Sequence, residues 1–213
     1  MLEDTMIIYI QIIICLSMLK EKISGFLKLI RIEICIFGTI GFFVSGVLAE
    51  DLIGFQIEYL IGFLIIFLSE AGAFAINDYI DFEVDLNNNR SDRPLVLGLI
   101  SRKTALITAI IILIIDLLLL LLLKPFASLV GLISVPLFYI YSLGLKKRLL
   151  IKNILIAYSY TGTILFGSIV SDSVLEPIII YFAFMGFIIG LGSEIMFDMA
   201  DVKGDKQLGI NTI

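Results

Sequence analysis

Residues 59–76, YLIGFLIIFLSEAGAFAI, carry a single charge, Glu70, and run straight into NDYIDFEVD. A bilayer's hydrocarbon core takes about 20 apolar residues of helix to cross. Lipid offers no partner to an open backbone, so a segment of this kind folds as a helix that satisfies its own N–H and C=O groups. The run therefore reads as a membrane helix that delivers a carboxylate-rich segment to the membrane face. The rest of the chain repeats the pattern. Spans are predicted at 29–49, 59–82, 103–123, 126–143, 151–170 and 177–199. The expected fold class is all-α: a polytopic membrane bundle of about six spans, 1–213 forming one domain. Residues 29–213 make the bundle. Residues 1–28, with MIIYIQIIICLSML preceded by Glu3 and Asp4, read as an apolar interfacial segment instead of a signal peptide.

Composition narrows the chemistry. The chain is 60% hydrophobic, against roughly 45–50% for soluble domains. It contains no histidine, which excludes serine triads and His–metal sites. Cys15 and Cys35 sit in apolar surroundings and read as small hydrophobes. A net charge of −5 without a basic tail argues against nucleic acid.

Positive charge sets the orientation. All but one of the 15 Lys and Arg fall on one side of the predicted spans; Lys124 alone lies on the other, beside Glu50, Asp51, Glu58, Asp172 and Glu176. The positive-inside rule makes the basic side cytoplasmic. NDYIDFEVD and the closing GSEIMFDMADVKGDK both emerge there, in what reads as a multi-pass cell-membrane protein.

On a helix, Asn77, Asp78, Asp81 and Asp85 fall within an arc of ~100° and climb ~12 Å. Asp198, Asp201 and Asp205 fall within ~60°, with Glu194 one turn earlier on the same face. Acidic residues at a helix end are often only solvated surface. Here they keep to one face, and Glu70 and Glu194 lie inside apolar stretches, where a charge is costly and marks a site. Packed carboxylates need a cation between them, and hard oxygen donors beside an amide suit Mg²⁺ shared with substrate phosphates. Two such clamps over a lipid-filled space fit a diphosphate with a long apolar tail. An allylic diphosphate would leave a carbocation, which calls for a dry site and aromatic faces. Phe74, Tyr139 and Tyr141 are the best placed.

These segments resemble the UbiA-type intramembrane prenyltransferases. NDYIDFEVD matches their N-D-x-x-D-x-x-x-D signature, and DMADVKGD is similar to their second aspartate motif. DRPL (92–95) and YSLGLKK (141–147) resemble segments that follow their second and fourth helices. The resemblance covers nearly the whole chain. It implies Mg²⁺-dependent transfer of a prenyl group from a polyprenyl diphosphate donor to a membrane-associated acceptor. By position, Asn77, Asp78, Asp81 and Asp85 would bind one Mg²⁺, and Asp198, Asp201 and Asp205 the other. Asp81, Asp85, Asp201 and Asp205 would be the catalytic carboxylates. Arg93, Tyr141 and Lys146 would contact the diphosphate.

GSEI…DVKGDK is most similar to the archaeal ether-lipid branch, whose acceptor is geranylgeranylglyceryl phosphate; an aromatic acceptor such as 4-hydroxybenzoate or a naphthoate is the alternative. Ser193 and Phe197 depart from that branch, which often carries basic residues there. The family usually has nine spans. The resemblance therefore implies a C-terminally truncated chain with weak activity alone, or an inactive membrane scaffold. A transporter would instead place its acids along a mid-membrane pathway; only Asp116 does so, and it reads as a buried carboxyl hydrogen-bonded to a neighbouring helix. The CDP-alcohol phosphotransferases resemble D-G-x-x-A-R, which is absent.

Overall fold

A computed structural model describes residues 2–49, 56–145, 150–170 and 176–207. Its helices, in chain order, are α1 (Leu2–Ile30), α2 (Ile32–Leu48), α3 (Ile57–Asn87), α4 (Arg102–Leu120), α5 (Pro125–Leu143), α6 (Ile151–Ile169) and α7 (Pro177–Gln207). Among the described residues there are no strands. Among the described residues four helices are long and apolar enough to cross a membrane: α3, α4, α5 and α7 as far as Met196. The six-span count is thus approximate, because α2 has 17 residues and α6 interrupts its apolar run with Asn153 and a series of hydroxyls. Those hydroxyls turn inward on the helix itself: Ser159 donates to Ile156 O and Thr163 to Ser159 O. Back-bonding of this kind makes a polar side chain tolerable in an apolar setting.

α3 is the central element, packing against α1, α2, α4, α5 and α6. Its 31 residues rise ~47 Å, well beyond a ~30 Å hydrocarbon core. The surplus is the segment rich in aspartate, which stays helical to Asn87 instead of ending near 82. The Asn run then stops it: Asn89 adopts φ 51°, the left-handed conformation that Asn tolerates at a helix C-terminus. The connection to α4 folds back under the bundle. Pro94 and Leu95 are buried, Leu99 packs on Gly25 of α1, and Ser101 caps α4 by accepting from Thr104 N at 3.0 Å.

α2 and α6 meet closely at Gly167, where a Cβ would run into the Phe42 carbonyl and Ser45. Small residues allow this approach in membrane bundles. Ser45 donates to Ile164 O and Tyr59 to Gly167 O, tying α2, α3 and α6 together. α6 and α7 form the most extensive helix pair. α1 is a continuous helix that carries the predicted interfacial segment; Ile10, Ile13 and Leu16 are exposed on it.

Candidate active site

The site begins at a break in the backbone. Arg31 separates α1 from α2 with φ 49° and ψ 57°. A non-glycine residue in that region costs on the order of 1–3 kcal/mol and tends to mark a functional position. Its guanidinium lies 4.4 Å from the centre of the Phe74 ring and donates to Asp78 Oδ1 at 3.0 Å. Asp78 is 1% exposed. A second guanidinium reaches the same oxygen: Arg93 Nη1 donates at 3.2 Å. Arg93 also stands 3.5 Å from Asp85 Oδ2 and 3.7 Å from Asp92 Oδ2. The folded-back 88–101 connection, anchored by Leu95, carries Arg93 to this point. Arg90 grips Asp92 through two bonds of 2.9 Å, and this hydrogen bonding holds the exposed Asp92 carboxyl below the usual carboxylate range.

The predicted first cluster thus lies on one face of α3, as its spacing requires. Asp78 and Asp85 are buried, and Asn77 and Asp81 are half-buried. Two arginines lie among these carboxylates and offset their repulsion. Among the described residues no three acidic side chains converge tightly enough to hold one ion. The donor set nonetheless fits a hard divalent cation. The carboxylates and an amide line successive turns, and Asp78 Oδ2 is buried without a hydrogen-bond partner.

For the second cluster, Asp198, Asp201 and Asp205 lie on the α7 helix, with their side chains outside the described residues. Lys146 also lies outside the described residues. Glu194, one turn before them, is buried and pairs with Lys152 of α6 at 3.9 Å. α2 and α6 each touch both α3 and α7 and so link the two acidic helices. Tyr141 is half-buried near the end of α5.

The aromatic residues separate. Phe74 already presents its ring to a cation. Tyr139 instead donates to Ala109 O at 3.1 Å and fits against Gly72, which makes it a pin joining α3, α4 and α5. Asp116 accepts from Ser69 of α3 at 2.9 Å, the interhelical hydrogen bond expected of it. Sequence reasoning missed Arg31, which read as one positive charge among several at a cytoplasmic helix end. The signal available was its neighbourhood: a lone arginine between two apolar helices, facing an aspartate-bearing span.

Comparison with known proteins identifies the family and the fold. Residues 35–213 match the UbiA prenyltransferase family. A digeranylgeranylglyceryl phosphate synthase of Archaeoglobus fulgidus is 36% identical over 199 residues, covering 92% of this chain and 67% of that protein. The enzyme of the same name from Pyrococcus furiosus is 31% identical over 193 residues, covering 90% and 68%. Among solved structures, a digeranylgeranylglyceryl phosphate synthase superposes with a TM-score of 0.79 at 30% identity, covering 91% of this chain and 68% of that one. A UbiA homologue from Archaeoglobus fulgidus bound to DMAPP and Mg²⁺ gives 0.73 at 20% identity, covering 87% and 67%, a likeness of fold.

Proposed function

This chain belongs to the UbiA prenyltransferase family, and we propose that it transfers a prenyl group, in a Mg²⁺-dependent reaction, from an allylic diphosphate to the hydroxyl of a prenylated glyceryl phosphate in ether-lipid synthesis. The names of its relatives support the acceptor. The observation that carries the reading is the meeting of Arg31 and Arg93 on buried Asp78 in the C-terminal third of α3. Carboxylates that hold a metal and guanidiniums that hold phosphate oxygens share one mouth there, above an apolar interior.

Asn77, Asp78, Asp81 and Asp85 would hold the first Mg²⁺, and Asp198, Asp201 and Asp205 the second. When bound, the metal supplies neutralisation of the charge that develops on the leaving diphosphate. Arg31 and Arg93 bind and orient that diphosphate by charge-assisted hydrogen bonds, joined by Lys146 and Tyr141. Phe74 offers its ring face to positive charge at the reacting carbon. The prenyl tail lies among the helices, where water is excluded, and the mouth faces the cytoplasm, as the basic connections favour.

The test is a product assay. Detergent-solubilised protein is incubated with geranylgeranyl diphosphate, Mg²⁺, and geranylgeranylglyceryl phosphate or 4-hydroxybenzoate. Transfer to the glyceryl phosphate is expected. Exclusive labelling of the aromatic compound would overturn the acceptor, and no Mg²⁺-dependent turnover of donor would overturn the reaction.

A further inference from the structure

Glu70 is a charged residue in the middle of an apolar run, and the diphosphate site does not use it. It lies seven residues before Asn77 on α3. That spacing puts it within ~20° of the Asn77 direction and ~10 Å deeper along the axis. It therefore lies beneath the aspartate face, on the side from which a prenyl chain would extend. Its carboxyl rests on α2 at Gly38, where a Cβ would coincide with the Glu70 oxygens. Only glycine leaves room for an acid there.

Its hydrogen bonding is unfinished. Glu70 Oε2 is buried and has no partner. The two polar side chains of α2 that flank Gly38 are committed elsewhere: Cys35 donates to Ile30 O at 3.0 Å and Thr39 to Ile36 O at 2.7 Å. The residue as a whole is half-buried. A buried carboxyl oxygen without a donor is costly, and an acid placed so within a membrane helix calls for a role.

We propose that Glu70 is the proton acceptor of the transfer step, receiving the hydroxyl proton of an alcohol acceptor. This rests on the prenyl-transfer reading above. The acceptor oxygen forms a bond to the allylic carbon. The carbon–oxygen bond to the diphosphate breaks, and its electron pair leaves with the diphosphate. The acceptor's O–H proton passes to a Glu70 carboxylate oxygen. The ~10 Å rise between Glu70 and the motif is the room that a diphosphate, the reacting carbon and one hydroxyl fill.

The experiment uses Glu70→Gln, close in shape and unable to take the proton, with Glu70→Asp beside it. Three readouts are taken: transfer to the alcohol, free prenyl alcohol released from the donor, and Mg²⁺-dependent binding of a geranylgeranyl thiodiphosphate that does not ionise. Glu70→Gln is expected to lower transfer by ~100-fold or more and to raise the ratio of free prenyl alcohol to transferred product. Analogue binding should stay at the wild-type level, and Glu70→Asp should recover part of the transfer. Transfer by Glu70→Gln at the wild-type rate would overturn the role. So would loss of analogue binding along with transfer, which would make Glu70 part of the donor site or of the fold. Absence of Mg²⁺-dependent analogue binding in the wild type would overturn the prenyl-transfer reading itself, and this role with it.

Discussion

Asp78 and Asp116 are both sealed from solvent, at 1% and 0% exposure, and each keeps one carboxyl oxygen without a partner. The likeness ends there. Asp78 stands in the C-terminal third of α3 and accepts from two guanidiniums. Asp116 stands deep in α4 and accepts from one serine hydroxyl of α3. An unpartnered buried oxygen therefore does not by itself identify a metal or diphosphate site; the charge of the partner and the depth do. A carboxylate held by guanidiniums at a membrane mouth can exchange those cations for a metal and its ligand. A carboxyl held by a hydroxyl between two packed helices joins the helices and has nothing to exchange.

Removing each acid in turn separates the two roles. Asp78→Ala is expected to abolish Mg²⁺-dependent binding of a non-ionising donor analogue and to lower transfer by at least ~100-fold, the scale seen when a charge-stabilising group is removed. Chelation of Mg²⁺ in the wild type should reproduce that loss. Asp116→Asn should leave both readouts within ~2-fold, because an amide carbonyl still accepts from Ser69. Equal losses at the two positions would sink the distinction.

The arginines sharpen it further. Arg93 reaches Asp78 and Asp85 together, which suits a planar fork and not a point charge. Arg93→Lys should raise the donor's KM by ~10-fold or more, from a charge-assisted bond of roughly 1.5–3 kcal/mol. Arg31→Ala should raise it by about tenfold and also release Phe74 from its cation. Steady-state kinetics with varied donor checks both. A KM unchanged in Arg31→Ala would confine Arg31 to the α1–α2 break.

These two residues also show what a sequence discloses. The aspartate face was readable because 100° per residue turns the spacing of Asn77, Asp78, Asp81 and Asp85 directly into geometry. Arg93 was readable through DRPL beside the motif. Arg31 was not, since its role depends on a left-handed backbone residue that swings the side chain toward α3, and no local pattern announces one. The extent of α3 was underread for a related reason. FEVDLN leaves the hydrocarbon but keeps helix-forming residues, so the helix runs on until the Asn run stops it. Tyr139 looked like a lining aromatic because its aromatic character is visible in the sequence. Its bond to Ala109 O across two helices is not.

The smallest expected effect tests the other half of the comparison. If Ser69 and Asp116 only join α3 to α4, a double-mutant cycle should isolate a weak coupling, about 0.6 kcal/mol, as is typical of interhelical hydrogen bonds in membranes. Ser69→Ala leaves the Asp116 carboxyl with no hydroxyl donor and should destabilise by about 0.6 kcal/mol, the scale of one interhelical hydrogen bond in a membrane. Asp116→Leu alone leaves a serine hydroxyl, which can bond back to its own helix and so costs less. The double variant replaces both partners with apolar groups, and this can be nearly neutral. Ser69→Ala should therefore be less harmful in the Asp116→Leu background than alone, measured by unfolding in mixed detergent micelles. Donor analogue binding should not change in any variant. A coupling well above ~2 kcal/mol, beyond the range of such bonds, or a loss of donor binding in Ser69→Ala, would mean that Asp116 communicates with the mouth of the site, and the two buried acids would then belong to one system.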